Sequence, residues 1–175
     1  MVIAIPKEQD QSTPLPTFNF HVDASLPGVN SGKPVCLGAF AEVSGLEATM
    51  EPKVIKVGGR NYGPIQRAGP VSFATVVLRR GVSETARDLW AWWALFSGGD
   101  GAATVGSVAA NRTNVTVSMI RPKKSDTGER EAVLTWTLEN AMPVKFKAGD
   151  LNARGTEVAI EELHLVHEGL KVERA

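Results

Sequence analysis

The chain has 175 residues, with 19 Lys+Arg against 19 Asp+Glu, so its formal net charge is zero. That length suits one domain, or one domain plus a tail. The absence of a basic excess argues against a compact nucleic-acid binder, and 43% hydrophobic residues argue against a disordered acidic chain. Gly (17) and Pro (10) favour many turns and short strands, while one cysteine, Cys36, excludes an intrachain disulfide framework. Zero net charge also permits self-association.

Residues 1–17 carry Pro6, Pro14 and Pro16 among polar spacers and read as an extended N-terminal arm, with residues 18–172 as a single domain. Val2–Ile5 is too short an apolar start for a signal peptide. No run approaches the roughly 18 residues of a membrane span, so synthesis and folding in a cytoplasm are expected. Phe18, Phe20 and Val22 share one face of an alternating stretch that ends at Asp23, the pattern of a half-buried strand. A Gly/Pro-rich loop follows at Pro27–Pro34, then strand-like Leu37–Leu46.

Residues 47–70 form a long excursion. Val54–Val57 suits a short strand, and Gly58, Gly59, Arg60, Asn61, Tyr62, Gly63 and Pro64 have turn composition. A long polar, Gly-rich excursion in a compact domain is either functional or disordered. Val71–Arg80 is β-branched and apolar, a strand stopped by Gly81.

Ser83 occupies an N-cap position with Glu84 in the first turn, which predicts a helix over 84–96. Leu89, Trp92, Trp93 and Phe96 fall at i, i+3, i+4 and i+7, one apolar face. Such a face is expected to pack on a sheet rather than to stack sugars or bases. Asp100–Ala110 is a small-residue loop. Asn114–Ile120 and Ala132–Leu138 alternate as strands around a polar hairpin tip, and Val144–Lys147 suits a shorter strand after Pro143. Thr156–Leu170 is ambiguous: a helix would align Ala159, Leu163, Val166 and Leu170, whereas a strand switches parity near Glu161–Glu162 and needs a β-bulge.

Catalytic signatures are missing: there is no phosphate-binding Gly-rich loop, zinc-protease helix or nucleophile elbow. His164 and His167 lie near Glu161, Glu162 and Glu168, but their spacing favours a structural surface pair over a metal site. Cys36 has no nearby partner and reads as a small buried or loop residue. Asn111 and Asn114 match the glycosylation pattern by chance if no secretory signal precedes them. Arg79–Arg80 and Lys123–Lys124 are too short for a nucleic-acid patch. A β-rich domain with one helix and no catalytic constellation suits a structural protein whose sheet edges need partners.

In order, the chain then presents Phe18-Asn19-Phe20-His21-Val22, Phe40-Ala41-Glu42-Val43-Ser44-Gly45-Leu46, Gly58-Gly59-Arg60-Asn61, Val77-Leu78-Arg79-Arg80-Gly81-Val82 and Asp88-Leu89-Trp90-Ala91-Trp92-Trp93. After these come Asn140-Ala141-Met142-Pro143-Val144-Lys145, Leu151-Asn152-Ala153, Val158-Ala159-Ile160-Glu161-Glu162-Leu163 and His167-Glu168-Gly169-Leu170. Over residues 18–170 this set resembles the inner tail tube protein family of contractile phage tails and phage-tail-like contractile injection systems, relatives of the type VI secretion tube. The resemblance implies a mainly β (α+β) fold, a small antiparallel β-barrel or sandwich with one flanking helix. Copies would form hexameric rings with a continuous β-lined channel, and rings would stack into a tube inside a contractile sheath.

The resemblance also places residues. Region 47–70 matches the family's long hairpin arm, so Glu51, Lys53, Lys56, Gly58, Gly59, Arg60, Asn61 and Tyr62 are expected to stack one ring on the next. Leu89, Trp92, Trp93 and Phe96 would pack the helix on the outside of the barrel, and Thr156–His167 would be a bulged strand. The implied partners are the chain itself, sheath, baseplate and terminator proteins, and lumen cargo, either DNA or protein effectors. No catalytic residue, cofactor, metal or membrane anchor is implied. The chain would be made in the bacterial cytoplasm and end in a virion tail tube or an injection particle. The N-terminal arm and the Ser25–Val35 loop are longer than in the shortest family members. The alternatives are a type VI secretion-like ring protein, a monomeric β-barrel with Trp90 or Trp136 lining a ligand pocket, and a metal hydrolase using His164 and His167.

Overall fold

The computed structural model describes residues 15–24, 36–38, 40–82, 87–97, 112–122 and 130–174. Most of the N-terminal arm, the 25–35 loop, the Ser83 cap, the 100–110 loop and the 123–129 hairpin tip lie outside the described residues. Among the described residues every strand pairing is antiparallel.

The molecule is organised around one 18-residue strand, β10 (Arg130–Lys147). Its first part lies between β9 (Thr113–Pro122) and β12 (Gly169–Arg174). β1 (Phe20–Ala24) and β2 (Cys36–Gly38) continue that sheet beyond β9. The last part of β10 pairs instead with β11 (Ile160–Val166), followed by β8 (Val76–Gly81) and β3 (Glu42–Ser44). Thus β10 joins two sheets that face one another across the core.

The reason β10 can serve both sheets is visible in its register. The pairings Leu138↔Val115 and Ala141↔Thr113 place three steps of β10 against two of β9. The extra residue sits at Asn140, whose φ is 51°. Asparagine tolerates this left-handed conformation better than most residues. Its N–H donates to Asn114 Oδ1 (3.1 Å) and its Nδ2 to Glu168 Oε2 (3.0 Å), which fixes the corner. A bulge flips side-chain parity: Leu138 is buried before it, Ala141 and Pro143 after it. A further extra residue, Val144, restores the parity of Leu138, so Phe146 turns back to the core.

Three expectations are corrected here. Ala132–Leu138 and Val144–Lys147 are not separate strands but parts of β10, which runs through Pro143. Proline is tolerated because, among the described residues, β9 no longer flanks this stretch and it lies on an edge. The C-terminal segment is strand from Ile160, not from Thr156, and the chain returns as a further strand, β12, which the sequence did not suggest. Finally, β11 is not bulged at Glu161–Glu162: it pairs with β8 in unbroken register from Ile160 to Leu165. Glu161, Leu163 and Leu165 all point inward, so a carboxylate occupies a core position that the apolar pattern assigned to its neighbours.

The core consists of Val22, Val76, Leu78, Val115, Leu138, Leu163 and Leu165 from the strands, with Leu89 and Trp92 from α1 (Asp88–Ser97). Residues 84–86 of the expected helix lie outside the described residues. Trp93 and Phe96 are partly buried against the same core. Fully burying one leucine-sized side chain contributes roughly 1.5–3 kcal/mol.

Candidate assembly interface

From Glu47 to Phe73 the chain leaves the two sheets. Among the described residues β4 (Ala48–Met50) pairs only with β7 (Val71–Phe73), and β5 (Lys53–Ile55) only with β6 (Ile65–Arg67). Two short ladders in series make one long hairpin. At its tip the Arg60 N–H donates to Val57 C=O (3.3 Å), and Gly59 (φ 79°) supplies the positive φ of a type II turn. At its root Gly45 (φ 85°) lies so close to Thr75 that an added Cβ would meet that carbonyl oxygen at 2.2 Å. The Ala74 N–H donates to Glu47 C=O (3.1 Å), and Phe73 packs on the His167 ring at 5.1 Å. The root is therefore tied to the domain while the remainder projects.

Glu51, Lys53, Lys56, Gly58, Gly59, Arg60, Asn61 and Tyr62 are all exposed, Tyr62 completely. Met50, Val54, Val57, Ile65 and Val71 on the same hairpin are also exposed. Scattered surface apolar residues need no explanation, but a run of them on one projecting element marks an interaction surface. Its charges are equally lopsided. Between residues 53 and 67 there are four cations, Lys53, Lys56, Arg60 and Arg67, and no carboxylate. Lys53 and Arg67 are register partners. Like charges directly opposite on a ladder are destabilising, by roughly 0.2–1 kcal/mol.

The strands of the sheets behave in the opposite way. Arg79 donates to Glu42 (3.0 Å) on one side and Glu162 (3.2 Å) on the other, a row across β3, β8 and β11. Burial acts to raise the Glu162 carboxyl, but the Arg79 charge, the hydrogen bond and charge of His164 and the Lys147 charge together outweigh it and hold Glu162 below its ordinary value. Arg121 donates to its register partner Glu131 (2.6 Å), and Lys171 and Arg112 pair with Glu139 and Glu168.

Inside the molecule, Arg80 Nε donates to Glu161 Oε1 (2.6 Å), and both Nη atoms bond Asp88 at the first turn of α1. The Phe40 ring lies 5.8 Å from the guanidinium carbon. Burial acts to lower Arg80, but the bonds to Asp88 and Glu161 outweigh it and raise it, so it stays charged. This network ties α1 to β8 and β11. Its signal in the sequence was the parity of Glu161 with Leu163 and Leu165, opposite Arg80 in the register of Val76 and Leu78. On the helix, Trp90 remains partly exposed, edge-on to Phe146 at 5.4 Å and tilted against Trp93 at 5.1 Å.

His164 Nε2 lies 3.4 Å from Glu162, and His167 Nδ1 is 2.9 Å from Gly169 C=O. An open cleft of about 540 Å³ lies along residues 147–162, and neither Trp90 nor Trp136 lines it. Among the described residues no helix is long and apolar enough to cross a membrane.

Comparison with solved structures places the fold. A chain from the sheath–tube complex of an extracellular contractile injection system, PVC, in its extended state is 20% identical, with TM-score 0.70 over 94% of this chain and 95% of that one. A chain from the six-fold-symmetrised baseplate of the anti-feeding prophage is 26% identical, with TM-score 0.70 over 93% and 97%. Hcp1 from Flavobacterium johnsoniae is more distant, 13% identical with TM-score 0.50 over 89% and 94%. No curated protein sequence matches the chain. The family model for the T4-like virus tail tube protein gp19 matches residues 16–171, from before β1 into β12 and including the whole hairpin. The chain therefore belongs to the T4-like virus tail tube protein gp19 family.

Proposed function

We propose that this chain is the structural subunit of the inner tube of a contractile tail or injection particle, and that it performs no catalysis. Copies close into hexameric rings whose sheets join around a channel. The hairpin at residues 47–73 carries each ring onto the next. The tube is a passive conduit for DNA or protein effectors, driven through a target envelope by contraction of a surrounding sheath, with baseplate proteins at one end and a terminator at the other. Similarity to chains of a sheath–tube complex, a baseplate and a tube-terminating cap supports these partners. Synthesis in the bacterial cytoplasm, followed by incorporation into the particle, fits this role.

The observation that carries the proposal is the hairpin. It is tied at its root, adds nothing to the domain core, and exposes apolar and cationic side chains together. An element of that kind is stable only against a partner. Negative-stain microscopy of the purified full chain tests the proposal: rings or tubes are expected, and a compact monomer at high concentration would contradict it. Deleting Gly58-Gly59 and replacing Asn61-Tyr62 should leave rings that no longer stack.

A further inference from the structure

A sheet edge is where a chain still has backbone to pair. The sheet built on the last part of β10 runs in the order β10, β11, β8, β3, each strand antiparallel to the next. Four antiparallel strands give it two edges that run in opposite directions. A second copy, related by rotation about an axis along the strands, can therefore set its β3 against β10 of the first in an antiparallel pair. The other sheet has five strands, β2, β1, β9, β10 and β12, so its two edges run the same way. Copies could join there only in parallel, the slightly less stable pairing.

Both edges of the four-stranded sheet are open among the described residues: β3 pairs only with β8, and β10 beyond Ala141 pairs only with β11. They also match in length. β3 has three residues, Glu42–Ser44, and β10 offers Lys145, Phe146 and Lys147 beyond Pro143 and the extra residue Val144. The charges follow the same order. In register across the sheet stand Lys147, Glu162, Arg79 and Glu42, a row of alternating sign with a cation at one edge and a carboxylate at the other. Arg79 is shared by Glu42 and Glu162, so Glu42 has no cation of its own. An open groove of about 380 Å³ beside it, lined by Ala41, Glu42, Arg79, Ile160 and Glu162, holds two carboxylates and one cation. On the opposite edge Lys147 also reaches Asp150 (3.3 Å), whose side chain is 91% exposed, and Lys145 has no ion-pair partner among the described residues.

We infer that ring closure joins the β3 edge of one copy to the Lys145–Lys147 edge of the next, and that Glu42 facing these lysines selects the join. The inference rests on the ring assembly proposed above. Each copy uses β3 towards one neighbour and β10 towards the other, a head-to-tail contact that closes when the rotation fits. Closing a sheet staggers its register in steps of two residues, since a one-residue slip would turn the faces over. Lys145 and Lys147 share one face, two residues apart, so Glu42 meets a lysine either in register or one step back. The pairs lie near solvent, so closure weakens as salt rises.

The test uses the full-length chain. K145E/K147E should stay folded by far-UV circular dichroism yet lose rings, with subunit association weakened about tenfold or more in sedimentation. E42K/K145E/K147E should regain rings. A second readout is cross-linking. Facing residues of an antiparallel pair have Cα atoms about 4.5–5.5 Å apart, within disulfide reach. In a C36S background, one of E42C/K145C and E42C/K147C should give a disulfide-linked ladder of subunits on oxidation, and no single cysteine should. Rings that form while neither pair gives a ladder would overturn this join and leave the ring assembly standing. A ladder together with normal rings from K145E/K147E would overturn the selection by charge. A parent chain that never forms rings would overturn the ring assembly itself.

Discussion

Arg80 is bound by two carboxylates from different elements, one on β11 and one on α1, so a single side chain joins strand, strand and helix. Removing it in R80A would leave Glu161 and Asp88 facing one another without a cation. The expected loss is about 3 kcal/mol, the scale for breaking a mostly buried ion pair, measurable by chemical denaturation. R80K keeps the charge but not the fork that grips Asp88 at two points, and should fall between. Glu168 predicts a pH effect. Its hydrogen bond from Asn140 and then its pairing with Arg112 hold its carboxyl below the ordinary value. Its contribution to stability is therefore complete above the unfolded-state value and is lost as pH falls through the lower folded-state value. Thermal melts across the acid range should show E168Q with a shallower decline than the parent chain.

At the scale of elements, strands with one clean alternation were legible and the corner was not. β1 and β9 announce themselves because Val22, Val115 and Val117 alternate with polar neighbours and face the core, whereas the expected strand Val71–Arg80 divides at Ala74-Thr75 into β7, which belongs to the hairpin, and β8, which runs through Gly81. The helix was legible for the same reason at its own period, through Leu89 and Trp92. The parity switch was also legible, but in the wrong strand. Glu161 broke the apolar pattern of β11 because its charge is neutralised inside by Arg80, while the backbone bulge lies across the ladder at Asn140 and Val144 of β10. Composition cannot separate a buried ion pair from a bulge, since both put a polar residue where an apolar one is due. β12 was missed because Lys171, Glu173 and Arg174 leave little apolar signal on a strand exposed over most of its length. The hairpin's length was legible in its glycines, but its two-ladder construction was not, since three-residue strands are too short to show a period. Its root makes a firm expectation: G45A forces a Cβ against the Thr75 carbonyl at a positive φ and should cost about 2 kcal/mol in unfolding experiments. An unchanged melting curve would show that the hairpin root tolerates movement.

For the whole molecule, a net charge of zero turned out to describe a division rather than an even mixture. Cross-strand rows such as Glu42–Arg79–Glu162 neutralise the sheets locally, while Lys53, Lys56, Arg60 and Arg67 of the hairpin have no ion-pair partner among the described residues. A monomer built this way carries an exposed apolar, basic projection, which favours association with a partner over staying alone. The most direct measurement is a cryo-electron microscopy map of the tube assembled from the full chain, with the path of residues 47–73 traced. The account expects the hairpin to cross from its own ring and touch a copy in the adjacent ring. A hairpin folded back along its own sheets, or a particle that never passes beyond the monomer, would contradict it.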